Sequence, residues 1–192
     1  MPRCRTLAAS ALLLLTLIFA APAAPARDMG AATLPDTLKA GANTLVLNGA
    51  AFRKKYFIKI YACGLYLLKK DSNPDRIIAA DEPMAVRMHF VYHRVDKKDM
   101  AEMLLTGFER STRGNTAPIK ENIDHLLSLL PAVLKKNDIV DLFYYPGRGM
   151  VCNINGKYAG ESPGLVFKRA VFGIWLCDRP VSEELKKGLL GL

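Results

Sequence analysis

The sequence predicts an α+β domain in which a mainly antiparallel sheet carries helices packed on one face. Three observations lead there. Strand-like segments come first and again in the middle of the chain, and helical segments follow them in pairs. The late strands are joined by hairpin turns, which are too short for the crossover that parallel strands require.

Residues 27–42 read as an ordered lead-in with one short extended piece, and Thr44 to Leu47, apolar or β-branched, as a strand ended by an Asn48-Gly49 turn. Tyr56 to Leu68 is a long strand candidate in which Gly64 marks a bulge or a close approach to the backbone. A short helix over Asn73 to Ala80 has Ser72 or Asn73 as its cap. Met84 to His93 alternates, with Val86, Met88, Phe90 and Tyr92 on one face and Arg87, His89, Val91 and His93 on the other. Helical spacing then runs from Asp96 to Arg110, with Met100, Met103, Leu104, Gly107 and Phe108 as a stripe. A second helix covers Pro118 to Leu130, turning Ile119, Ile123, Leu126, Leu127 and Leu130 inward. Strands at Ile139–Tyr145 and Met150–Ile154 flank the Pro146-Gly147-Arg148-Gly149 turn, and Asn155-Gly156 signals another turn. Gly164–Leu176 and Ser182–Leu190 are closing helices; Ser182 caps the second, and Glu183 and Glu184 suit the positive end of its dipole.

The chain has 192 residues and a formal net charge of +9. Arg3 and Arg5 precede an apolar run from Ala11 to Ala21 and the small-residue site Ala24-Pro25-Ala26, the pattern of a secretory signal peptide over residues 1–26. The run falls well short of the roughly 20 residues a membrane-spanning helix needs, and no later segment reaches that length without charges. Residues 27–192 are therefore expected to form one domain, periplasmic or secreted after cleavage near Ala26. Without the two leader arginines the net charge falls from +9 to +7. A basic surface of this kind suits anions such as lipid headgroups, carboxylates or nucleic acid, and export makes nucleic acid the least expected. Cys63, Cys152 and Cys177 remain after the leader, so at most one disulfide can form; their apolar surroundings favour packing as small hydrophobes.

Three segments carry a resemblance. They are LVLNGAAFRKKYFIKIYACGLYL, the hairpin DLFYYPGRGMVCNINGK and the terminal GLVFKRAVFGIWLCDRPVSEELKKGLLG. In that order they resemble the chalcone isomerase fold family, specifically its bacterial chalcone-isomerase-like branch, across nearly all of residues 27–192. The resemblance implies an open-faced β-sandwich. In plant chalcone isomerases an arginine before the long strand holds the substrate oxyanion, helped by a threonine in the strand and a tyrosine and asparagine on the next helix. Arg53 matches the arginine, but Tyr61 stands in place of the threonine, and the Asp96–Arg110 helix contains no tyrosine. Ile174 falls near a position where those enzymes place a polar side chain, and Cys177 where a helix-ending glycine is usual. The resemblance thus implies a noncatalytic member, with no catalytic residue assigned. In fatty-acid-binding relatives of this fold the equivalent arginine and a tyrosine grip the carboxylate, and here Arg53 and Tyr61 form that pair of residue types.

A guanidinium presents a fork matched to a carboxylate, and a phenol adds a donor. On one uninterrupted strand the two residues would lie about 26 Å apart, so a turn near Lys54-Lys55 has to bring them together. The expected ligand is a small amphipathic carboxylate or similar anion, a fatty acid foremost, with its tail between sheet and helices. The alternatives are an isomerase acting on an enone or flavonoid-like compound, and a pocketless interaction protein. Arg53-Lys54-Lys55 could equally be a solvated turn, and Tyr61 a core tyrosine. His89 and His93 share a strand face that reads as exposed, and no metal or cofactor is implied. His125 reads as exposed on its helix, Met100 and Met103 as core or a pliable pocket wall, and Trp175 as part of the core seam with Phe172 and Leu176. No sequence signal sets the oligomeric state.

Overall fold

The computed structural model describes residues 26–192; the signal peptide assigned to residues 1–26 lies almost wholly outside them. The lead-in forms three short strands rather than one, β1 (Ala26–Asp28), β2 (Thr33–Pro35) and β3 (Thr37–Ala40). Next come β4 (Asn43–Lys55), β5 (Ile58–Leu67), α1 (Pro74–Ala79), β6 (Met84–Phe90), β7 (Arg94–Asp96) and α2 (Lys97–Ser111). A 3-10 turn (Ala117–Ile119) leads into α3 (Lys120–Leu129), followed by β8 (Val133–Lys135), β9 (Ile139–Tyr145), β10 (Gly149–Ile154), β11 (Lys157–Ser162), α4 (Leu165–Leu176) and α5 (Glu183–Leu190).

Seven strands form one sheet in the order β11-β10-β9-β6-β5-β4-β3, every neighbouring pair antiparallel. Alternation along the strands sorts side chains into two cores. On one face, Tyr61, Cys63 and Leu65 of β5 and Val86, Met88 and Phe90 of β6 meet the apolar sides of the helices. On the other, Ala62, Tyr66, Ala85 and Phe143 lie beneath Leu34 and Leu38 of the N-terminal strands and Ala32 just before β2.

The expected stripe on α2 is buried at Met100, Leu104, Gly107 and Phe108, and each large side chain taken fully out of water contributes about 1.5–3 kcal/mol. α2 crosses α4 closely because glycines face it: a Cβ at Gly107 would collide with Ile174, and one at Gly173 with Ser111. Ser182 caps α5 as expected, accepting from the Leu185 amide, and Asn73 rather than Ser72 caps α1. Cys177 avoids the left-handed backbone, ending α4 in extended geometry at φ −65°.

Asn48-Gly49 is not a turn. β4 runs straight through it, with a register shift between Leu47 and Gly49. The shift frees the Asn48 side chain to donate to the carbonyls of Asp71 and Leu189 and accept from the Asp71 amide. Gly49 then lies directly under the end of α5. The strand reversal comes instead at Tyr56-Phe57, a pair whose composition predicts the interior of a strand. Lys55 pairs with Ile58 across that two-residue tip.

Gly64 is packed tightly rather than bulged, with Leu34 and Leu47 side chains 3.1 Å from where a Cβ would be. β6 stops at Phe90, so His89 and His93 do not share a strand face, and the face carrying Arg87 is not an open one. Arg87 makes a two-pronged ion pair with Asp141 of β9, at 2.7 and 2.8 Å, and His89 lies against the Thr33 carbonyl. Cys63, Cys152 and Cys177 are all free thiols, the first two buried.

No sequence pattern marks Lys168 as a core residue. It is fully buried on α4 and donates to the carbonyls of Ile77, Ile78 and Ala80, satisfying the orphan end of α1. Burial draws its pKa down to about 8, and Arg169 adds to the effect against an opposing pull from Asp81 and Glu82.

Candidate functional site

The hairpin of β4 and β5 projects past the rest of the sheet, and its outer part faces α2 across an open cavity of about 460 Å³. That size suits a ligand of drug-like dimensions, so the pocketless alternative does not fit. The cavity lies at the hairpin end of the layer between sheet and helices. Deeper in, that layer is filled by Phe90, Phe108 and Trp175, all fully buried.

Arg53 and Tyr61 are direct cross-strand partners in the β4–β5 register. Residues so paired hold their Cβ atoms about 4.5–5.5 Å apart, and both side chains line the cavity. The separation along the chain is thus cancelled by a turn at Tyr56-Phe57, two residues later than the expected place. The register slips once more between Arg53 and Lys54, so Lys54 pairs with Lys59.

Arg53 is half-buried. Its Nη1 donates to the Lys54 carbonyl, while its Nε is buried with no hydrogen-bond partner among the described residues. Buried donors are nearly always paired, so such a group calls for an acceptor. Tyr61 is fully buried at the inner wall, its ring 5.4 Å from Phe90. Its hydroxyl accepts from Trp175 Nε1 at 3.3 Å and donates to Met103 Sδ at 3.4 Å. A thioether is a weak acceptor, so this donor is poorly used. Burial raises the Tyr61 pKa, with Cys63 adding to the rise and Trp175 and Arg53 opposing it. The phenol therefore stays protonated and able to donate at neutral pH.

Four cations and two acids line the cavity: Arg53, Lys55, Arg94 and Arg110 against Asp99 and Glu102. Arg94 is engaged by Asp96 at 2.6 Å and Arg110 by the Pro180 carbonyl at 3.1 Å. Apolar walls come from Ile58, Ile60, Val95, Met100 and Met103. Met103 thus faces the cavity rather than the core alone, and Trp175, while buried in the seam with Phe172 and Leu176, also orients the Tyr61 hydroxyl. The sequence reading missed Asp99, Glu102, Thr106 and Arg110. They recur three or four residues apart along α2, a second helical stripe beside the apolar one.

Sheet, covering helices and a walled cavity with a cationic rim define a layered α+β protein with a small-molecule-sized pocket. The chain belongs to the chalcone isomerase-like family, whose family model matches residues 26–191. A search of curated proteins by sequence finds no match. Among solved structures, the crystal structure of a fatty-acid binding protein from Arabidopsis thaliana is similar, with a TM-score of 0.66 at 18% identity. The match covers 82% of this chain and 91% of that one. At that identity the likeness establishes the fold.

Proposed function

We propose that this chain binds a small amphipathic anion, a fatty acid foremost, and does not cyclise chalcones. The observation that carries the reading is the pairing of Arg53 with Tyr61 across the hairpin, at the wall of the cavity, with Arg53 Nε buried and unpartnered. A carboxylate at this point accepts from the guanidinium and replaces the Met103 sulfur as acceptor for the Tyr61 hydroxyl, exchanging a weak hydrogen bond for a charge-assisted one. The acyl tail lies against Ile58, Ile60, Val95 and Met100, and the flexible Met103 side chain adjusts to its length. The plant fatty-acid binding protein of the same fold supports the choice of ligand class.

Absence of cyclisation is favoured by Ile174, which is fully buried against Gly107 of α2 and offers no polar atom, and by the lack of any tyrosine on α2. Oxyanion stabilisation needs several donors aimed at one developing charge. Export to the periplasm or the exterior follows from the Arg3, Arg5 and Ala24-Pro25-Ala26 leader pattern.

Organic extraction of the purified protein followed by mass spectrometry tests the binding. Fatty acids released from the wild type and depleted in Arg53→Gln support it, whereas equal amounts from both proteins, or none from either, contradict it. Unchanged chalcone absorbance on incubation is expected for both proteins.

A further inference from the structure

The tip of the β4–β5 hairpin is built against the usual rules for a turn. A two-residue hairpin loop favours glycine, asparagine or aspartate, because positive φ is required there. Here the residues are Tyr56 and Phe57, and Tyr56 takes φ +57°, a conformation bulky side chains rarely adopt. The chain thus accepts local strain in order to present aromatic rings. Tyr56 is 86% exposed, Phe57 99% and Ile58 48%. The other exposed large apolar residues are scattered singly along the chain, such as Leu105 on α2, Tyr158 on β11 and Val166 on α4.

Around these three apolar side chains stand Lys54, Lys55 and Lys59. Lys54 reaches Glu184 at 2.6 Å, an exposed pair worth little. Lys55 and Lys59 have no acidic partner among the described residues, and the Lys59 ammonium lies 4.3 Å over the Phe52 ring. Lys55, Tyr56 and Ile58 also form part of the cavity rim.

We propose that this tip docks on an anionic lipid bilayer, with Tyr56, Phe57 and Ile58 entering the headgroup boundary and the lysines resting on acidic headgroups. Aromatic rings settle at that boundary, and lysine stems lie along it with their charges outward. Docked so, the mouth of the cavity faces the lipid, and an amphipath passes between bilayer and pocket without crossing open water. A second copy of the chain fits less well as occupant, since tip against tip sets lysines against lysines. The docking stands on the tip itself and does not depend on the pocket ligand being a fatty acid.

The test is co-sedimentation of the purified chain with phosphatidylcholine vesicles, with and without phosphatidylglycerol. Wild type is expected to pellet with the anionic vesicles, to be released by high salt, and to remain in solution with neutral vesicles. Tyr56→Ser/Phe57→Ser should weaken binding about tenfold through lost apolar burial. Lys55→Gln and Lys59→Gln should each weaken it about fivefold. These positions are exposed, and an unchanged thermal transition checks that the variants fold. In Phe57→Trp the added indole should shift its emission to shorter wavelength on vesicle addition, while the buried Trp175 does not respond. Failure of the wild type to pellet overturns the proposal, as does serine-variant binding equal to wild type. A concentration-dependent dimer abolished by Phe57→Ser, in protein that ignores vesicles, would assign the tip to self-association instead. Ligand retention measured without vesicles is independent of each of these outcomes.

Discussion

Replacing Tyr61 by phenylalanine removes one oxygen and leaves the ring against Phe90, so it separates a ligand-contacting tyrosine from a purely structural one. In the folded protein that oxygen is the acceptor for Trp175 Nε1, a fully buried donor. Orphaning such a donor costs about 1–3 kcal/mol. For a domain of this size each kcal/mol lowers Tm by about 2–4 °C, so a fall of about 2–12 °C is expected in a thermal melt. Both accounts of Tyr61 share that loss. They part on affinity, because a hydrogen bond to a charged group is worth about 1.5–3 kcal/mol. Titration calorimetry with a long-chain fatty acid should therefore show Tyr61→Phe binding roughly 10- to 150-fold more weakly. A variant that melts earlier yet binds as tightly as wild type would refute the role of the hydroxyl in the site.

Gly49→Ala places a methyl group on the Gly188 carbonyl oxygen and 2.6 Å from that of Leu189. Backbone cannot yield as a side chain can, so chemical denaturation should show a loss of about 3 kcal/mol or more, the upper end of overpacking costs. For Lys168 the folded pKa of about 8 lies below the ordinary 10.5. Between those values the unfolded chain holds a proton that the folded chain has shed, so this residue adds stability as pH rises through the window; below about pH 8 both states are charged and the burial penalty is complete. Relative to Lys168→Met, in which tyrosine and cysteine titrations cancel, wild type should gain up to about 3 kcal/mol between pH 8 and pH 10.5. A difference that is flat with pH would contradict the burial effect.

The architecture was legible wherever periodicity and end signals agreed. β9 has the bounds expected for it, and the buried stripe of α2 and the Ser182 cap stand as the sequence placed them. Local turn chemistry misled twice along the same hairpin, once within β4 and once at its tip. Asn48-Gly49 has turn composition, but tertiary demand uses it otherwise: Asn48 ties the strand to Asp71 and α5, and Gly49 lets the helix end approach. Tyr56-Phe57 has strand composition yet makes the turn. Lys168 looks like a surface residue because its partners, three carbonyls at the end of α1, lie some ninety positions away. Arg53 and Tyr61 could be singled out by resemblance, but only the register shows that they meet. Arg94, Arg110 and the α2 acids come from separate segments that no local pattern joins.

The binding proposed for this pocket turns on a contact between Arg53 and a carboxylate. Its most direct test is calorimetric titration of wild type and Arg53→Gln with a long-chain fatty acid and with the methyl ester of that acid. Wild type should bind the acid at least tenfold more tightly than the ester, and Arg53→Gln should lose most of that preference, because the guanidinium contact is gone and only the Tyr61 hydroxyl still tells the two apart. Equal binding of acid and ester by wild type, or an unaltered preference for the acid in Arg53→Gln, would contradict it.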